Sequence, residues 1–338
     1  MKDAVVPSVF IVGGGCLAAS GYGPAQLERV WTDSSSSLFG KLRLLHDFDP
    51  AQYLTMKGLR SLSQTSRMCC VAAAAALGPA PSPDTHHRYG VVVGTQWGSL
   101  ESLVDFNRRA FTEGPHLVNP SQFPNVIGNV HGSYLGILFG FGGPNITLCG
   151  RAGGLEAIGQ GADLVSLGRA DLVLAGGVET IGPTLLRGVA KEEHDGVQWP
   201  PGEGAAFVLL SPQPHPYRPA QAQVLSWSQS TVHQEQNAEA ARVTIIQDVM
   251  KRSGIDPGII RTVWYAGEPP ESVVQRRGGL SPGVIMQTLH TVTGNCRAAD
   301  GALAVALAAF RMAQNKSPVL ITVFPSYGSQ VAMLLGPA

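Results

Sequence analysis

The sequence predicts an α/β protein made of two duplicated α/β/α layered halves, and three observations carry that prediction. Apolar runs such as Gly90-Val91-Val92-Val93-Gly94 lack alternation, as strands do when both faces of their sheet are covered. These strands alternate with helix-length, Ala-rich segments, the pattern of layered α/β domains. The order of elements then recurs. Ala152 to Ile158 opens a helix that leads to the strand Asp171 to Gly177 and on to Ala205 to Leu210. Ala299 to Val305 opens another, leading to Pro318 to Phe324 and then Val331 to Leu335, with the same offset of 19 residues from helix start to strand (171 − 152 and 318 − 299).

The other elements follow in chain order. Val9-Phe10-Ile11-Val12 reads as a buried strand running into a tight turn at Gly13-Gly14-Gly15. Gly13-x-Gly15-x-x-Ala18 has the form of a dinucleotide fingerprint. That motif needs a helix directly after the turn to hold the pyrophosphate, and Gly21, Gly23 and Pro24 arrive too early for one. Ser66 to Leu77 is a helix that is apolar nearly all round and therefore predicted to be buried. A further helix runs from about Trp97 to Phe111, with Leu100, Leu103, Val104, Phe106 and Phe111 apolar, and closes at Gly114-Pro115. Ser211 to Pro219, with prolines at 212, 214, 216 and 219, reads as a linker and divides the chain into halves 1–211 and 212–338.

Composition excludes several classes. Basic and acidic side chains balance at 24 each, and charged residues make up 14% of the chain. An extended disordered chain or a nucleic-acid or anionic-membrane footprint would need far more, or clustered, charge. The longest uninterrupted apolar run, Met68 to Leu77, is well short of the ~18 residues that cross a bilayer, and Asp3, Pro7 and the glycine triplet break any signal-peptide core. A soluble, cytoplasmic, globular protein is expected. Glycine supplies 41 of 338 residues, which implies close backbone packing and extra buried surface such as a large subunit interface. Five cysteines with no CxxC pair give no zinc or disulfide framework, and His86-His87 falls in a loop, so no metal is expected. Asn145-Ile146-Thr147 is a formal glycosylation sequon without meaning in a cytoplasmic protein, and no Gly-x-Ser-x-Gly elbow is present.

In a doubled fold the two equivalent helix N-termini face a shared centre. The partial positive charge there lowers a thiol's pKa and suits a nucleophilic cysteine. The residues at these positions are Leu148-Cys149-Gly150-Arg151 and Gly294-Asn295-Cys296-Arg297. Cys149 and Cys296 are the candidate reactive thiols, with inert buried filler as the alternative for each.

Asn119-Pro120-x-x-Phe123-Pro124, Gly143-Pro144-Asn145, Ala175 to Glu179 and Gly202 to Ala205 resemble the β-ketoacyl synthases. Thr293-Gly294-Asn295-x-x-Ala298-Ala299-x-Gly301 resembles their second-half motif, and Tyr327-Gly328-Ser329 a degraded form of their late Gly-rich loop. The resemblance covers nearly the whole chain in order and implies a single thiolase-fold unit layered αβαβα. Active members use one Cys nucleophile and two His. Aligned through Leu155, Ala157, Ile158 and Gly176-Gly177, the nucleophile position holds Arg151, the first His position falls near Ala266, and the second falls on Asn295, with His290 where the family has Lys. All three catalytic positions are replaced. A guanidinium stays protonated and is no nucleophile, and a carboxamide donates a hydrogen bond but does not shuttle a proton.

Within that family, Arg151 to Ile158 resembles the chain length factors of type II polyketide synthases, which read Gln-Ala-Gly-Gly-Leu-Asp-Ala-Leu there; Arg151 departs from their Gln. The resemblance implies a subunit without the active Cys that heterodimerises with a Cys-bearing ketosynthase and shapes the tunnel for the growing chain. It also implies substrate delivered on the phosphopantetheine of an acyl carrier protein, and no cofactor held by this subunit. Counting back from Glu113-Gly114-Pro115 places the tunnel positions at Leu100, Leu103 and Asn107, one helical face by their spacing of three and four. Simple core is the alternative for the two leucines, while Asn107, if buried, needs partners. A small polar group at that deep end implies a longer or wetter tunnel, of the reducing, polyene type. Arg151 either fills the empty slot and pairs with a carboxylate such as Glu156, or binds an acyl or malonyl carboxylate. The rival reading is a divergent acyltransferase or ketosynthase that uses Cys149 or Cys296.

Overall fold

The computed structural model describes residues 8–33, 44–45, 48–55, 58–78, 87–192, 199–214, 218–233, 238–267, 280 and 283–338. Asp3, Pro7, His86 and the middle of the linker at 215–217 lie outside the described residues.

The strands are β1 (Val9–Ala18), β2 (Gly21–Tyr22), β3 (Tyr89–Thr95), β4 (Asn145–Cys149), β5 (Leu172–Glu179), β6 (Gly204–Ser211), β7 (Ala222–Val232), β8 (Thr262–Gly267), β9 (Ile285–Gln287), β10 (Val319–Phe324) and β11 (Gly328–Gly336). They join edge to edge in the order β4-β3-β5-β6-β1-β7-β11-β10-β8-β9, with β2 paired to β1. Read outward from the β1–β7 junction, both sides repeat one plan. The strand next to the junction pairs antiparallel with its neighbour, that neighbour is antiparallel to the third, and the outer three run parallel. This is the duplication expected from the repeated helix and strand order.

The helices are α1 (Pro24–Thr32), α2 (Gln64–Leu77), α3 (Leu100–Thr112), α4 (Val130–Phe139), α5 (Gly153–Ser166), α6 (Pro183–Glu192), α7 (Ala238–Ser253), the single turn α8 (His290–Thr293) and α9 (Ala298–Met312). The duplicated pair α5 and α9 forms the central layer. Their apolar faces (Leu155, Ile158, Leu303 and Leu307 among them) pack with Val173, Val208, Ile321 and Met333 from both sides of the sheet in one buried cluster. A second cluster places α2 on the outer face of the first half, and a third places α7 (Ile245, Ile246, Val249) on the outer face of the second, against Val263, Leu320 and Leu334. The layers therefore run α-β-α-β-α, as expected. No helix among the described residues is long and apolar enough to cross a membrane.

Three glycines explain why these layers close so tightly. Gly13-Gly14-Gly15 is not the turn its composition suggests: β1 runs straight through it. A Cβ on Gly13 or Gly15 would collide with the carbonyl oxygens of Ala76 and Ala72 in α2, so glycine here lets a helix backbone rest on the strand. The same device joins the central pair, where a Cβ on Gly154 of α5 would strike the Ala298 carbonyl oxygen at the start of α9. The buried, all-round apolar helix is α2, capped by Ser63, whose side chain accepts from the Ser66 amide at 3.2 Å. Such a cap contributes about 1 kcal/mol.

Candidate functional site

The centre of the molecule lies where the C-terminal ends of β3 and β5 meet the first turns of α5 and α9. A buried carboxylate organises it. Glu179, the last residue of β5, is 1% exposed and accepts from the Gln96 amide at 2.7 Å and from the Trp97 amide and Thr95 Oγ1 at 3.3 Å each. Burial pushes its carboxyl up to about 7, against the opposing pull of those donors and of the Arg297 guanidinium. The bonds fix the loop from Thr95 to Ser99 that launches α3.

Arg297 supplies the other charge. It is 4% exposed, its guanidinium lies over the Trp97 ring at 4.2 Å, and its backbone has φ 51, the one non-glycine residue with positive φ among the described residues. Such a backbone costs of order 1–3 kcal/mol and persists only where its surroundings over-determine it. Here the Arg297 amide donates to Asn295 Oδ1 at 3.1 Å, and Asn295 is itself pinned on both sides: its amide donates to the Pro200 carbonyl at 2.8 Å, and its carbonyl accepts from the Gly202 amide at 3.1 Å. Asn295 thus shapes the chain that enters α9.

Behind it lies a second polar group. His290 Nε2 and Asp300 Oδ2 are 3.0 Å apart, and Asp300 Oδ1 accepts from the Cys296 amide at 2.9 Å. Cys296 Sγ is fully buried and donates to the Thr293 carbonyl at 3.4 Å. Burial pushes this thiol well above 9, and Asp300 adds to the rise. A thiolate is the reactive form, so the environment of Cys296 works against nucleophilic chemistry. Cys149 differs: it is exposed, at the C-terminal end of β4, just before α5.

The remaining positions spread outward. Arg151 is half-buried in the turn before α5; Glu156 is hydrogen-bonded to Ser329 rather than committed to Arg151, and burial raises its carboxyl. Ala266 is buried near the end of β8, beside Val323 of β10. Leu100, Leu103 and Asn107 sit together on α3, but this helix has no buried residue at all. The amide of Asn107 is exposed and donates to the Leu103 carbonyl of its own helix at 2.9 Å, so the need for buried partners does not arise. Nor are Leu100 and Leu103 core of this chain: Leu103 is 38% exposed and Leu100 half-buried. Glu101, from the same helix, accepts from the Thr184 and Leu185 amides and so caps α6.

Glu179, Trp97 and Arg297 drew no role from the sequence. The available signal was a large cation directly ahead of a helix that is buried along most of its length, so that the cation must itself find an aromatic face or a carboxylate.

The doubled α/β/α fold thus brings two helix N-termini to one polar centre. Comparison with known proteins gives the family. Residues 25–214 match the family model for the beta-ketoacyl synthase N-terminal domain. The 3-oxoacyl-[acyl-carrier-protein] synthase 2 of Vibrio cholerae is 31% identical over 169 residues, 48% of this chain and 40% of that protein. The chain thus spans well under half the length of that relative. The enzyme of the same name from Coxiella burnetii is 23% identical over 316 residues, 82% of this chain and 76% of that one. Among solved structures, the ishigamide ketosynthase/chain length factor superposes with a TM-score of 0.80 at 20% identity, covering 98% of this chain and 99% of that one. A type II polyketide synthase acyl-carrier protein in complex with its ketosynthase bound to the hexaketide gives 0.81 at 17% identity, covering 99% and 100%. These two likenesses show the fold. The chain belongs to the β-ketoacyl synthase family.

Proposed function

We propose that this chain is a non-condensing, chain length factor-like subunit that pairs with a Cys-bearing ketosynthase and walls the tunnel in which an acyl or polyketide chain grows. The observation that carries the reading is the occupation of the catalytic positions. By alignment the nucleophile position falls on Arg151, the first His position near Ala266 and the second on Asn295, which serves as a backbone anchor. Substrate reaches the pair on the phosphopantetheine of an acyl carrier protein, and this subunit holds no cofactor of its own.

The surface of the first half supports the partnership. α3 exposes Leu103 and Phe111, and the segment after it exposes Leu117, Phe123, Ile127 and Ile137. Beside it β4, Asn-Ile-Thr-Leu-Cys, pairs among the described residues with β3 on one edge only and carries no charge to deter strand addition. An apolar patch next to an unprotected strand edge is an interface in waiting.

The test is condensation of malonyl and acyl groups on an acyl carrier protein, by the chain alone and with its ketosynthase. Turnover by the pair and none by the chain is the expected result; turnover by the chain alone, with an acyl adduct on Cys149, would establish the divergent-enzyme reading. Phe or Trp at Leu100, Leu103 and Asn107 is expected to shorten the product. Unchanged product length in all three would reduce the subunit to a structural partner.

A further inference from the structure

α3 carries the face that the proposed function places against the growing chain, yet none of its residues is buried among the described residues. An element without buried apolar side chains gains little from the core, so packing alone does not fix where this helix sits. Polar contacts do. β3 and β5 are parallel neighbours, and the connections that leave them emerge from the same end of the sheet. One, residues 95–101, starts α3; the other, residues 179–185, starts α6.

Each connection holds the other through a carboxylate. Glu179, in the second, accepts from the Gln96 and Trp97 amides and from Thr95 Oγ1 of the first. Thr95 Oγ1 in turn accepts from the Gly98 amide at 2.9 Å, which carries the hold to the threshold of α3. Glu101, in the first, accepts from the Thr184 amide at 3.1 and 3.2 Å and from the Leu185 amide at 3.4 Å in the second. Pro183 opens α6 and has no N–H, so these two amides are the first the helix must satisfy, and its dipole favours an anion there. Gly182 makes room for the reach, because a Cβ on it would strike Glu101 Cγ and Cδ. The other polar groups of α3 turn inward on their own helix. Asn107 and Thr112 donate to its carbonyls, and Asp105 pairs with Arg108 and Arg109. Among the described residues, Glu101 is the charged side chain of α3 that bonds another element. From this reciprocity we infer that Glu101 and Glu179 form a clasp that sets the position of α3, which makes Glu101 a positioning residue for the face of Leu100, Leu103 and Asn107. The consequence for product length rests on the tunnel reading; the clasp itself does not.

Amide hydrogen exchange on the full chain, read residue by residue, tests the clasp, and product length in the ketosynthase pair tests its consequence. Glu101→Ala removes the carboxylate and Gly182→Ala displaces it. Both are expected to speed exchange at Thr184 and Leu185 about fivefold or more, and to speed Gln96 and Trp97 with them, while the amides of β5 keep their rates. Glu101→Gln keeps an acceptor oxygen and is expected to restore most of the protection. In the pair, Glu101→Ala is expected to shift the distribution of product lengths. Wild-type exchange at Gln96 and Trp97 in both alanine variants overturns the inference, as does a product distribution that Leu103→Trp alters and Glu101→Ala does not. Coupled exchange with a product that neither Leu103→Trp nor Glu101→Ala alters upholds the clasp and refutes the tunnel reading instead.

Discussion

Replacing Glu179 with Gln turns the buried carboxylate into a measurable pH dependence. Its folded value of about 7 stands above 4.5 for the free carboxyl. Between those values the folded chain binds more protons than the unfolded chain, so this group's contribution to stability falls as pH rises. At 1.36 kcal/mol per pKa unit, the loss between pH 5 and pH 8 amounts to about 2–3 kcal/mol. Unfolding entropies of about 2.1 cal/mol/K per residue convert that, for a chain of this length, into a melting-temperature change of roughly 3–4 °C. Gln cannot ionise and abolishes this component while keeping one oxygen to accept from the Gln96 amide. The assay is thermal or urea unfolding of both proteins from pH 5 to pH 8. Relative to wild type, Glu179→Gln is expected to gain stability steadily as pH rises, by about that amount. Parallel profiles across the range would refute the buried carboxylate as the source.

Two further outcomes follow from exposure. Iodoacetamide on the native chain is expected to alkylate Cys149 and to spare Cys296, Cys16, Cys69 and Cys70, since burial pushes Cys16 and Cys70 up to about 12 and the other two well above 9; peptide mass spectrometry reads the pattern. Phe111 is 88% exposed, so Phe111→Glu should leave the melting temperature of the isolated chain within about 1 °C and weaken association with the ketosynthase by about tenfold or more, read by analytical ultracentrifugation.

The sequence made the layers legible because strands covered on both faces carry an unbroken apolar signature, and the repeat of that signature exposed the doubling. It misled at Gly13 to Gly15, where a turn and a close helix approach have the same local composition. Only the arrival of Ala72 and Ala76, some sixty residues on, separates the two. The apolar face of α3 was legible as well, but a single chain does not say what covers it, and the described residues bury none of it fully. The polar centre was hidden for another reason. Nothing in Asn295-Cys296-Arg297 announces a backbone at φ 51, and that conformation is what turns the Arg297 guanidinium inward onto Trp97.

Under this reading, inactivity is built into the packing and is not merely a matter of three side chains. Restoring the chemistry requires Arg151→Cys, Ala266→His and Asn295→His together. Ala266 is buried among Trp264, Leu289 and Ala304, so His there must push its neighbours aside, an overpacking that costs typically about 1–3 kcal/mol. His at 295 forfeits the acceptor for the Arg297 amide, and the strained turn at φ 51 loses a bond that holds it. The triple variant is therefore expected to melt lower than wild type and to show no condensation. Robust turnover by that variant at wild-type stability would mean that the centre is still arranged for catalysis, and that only its reacting groups were lost.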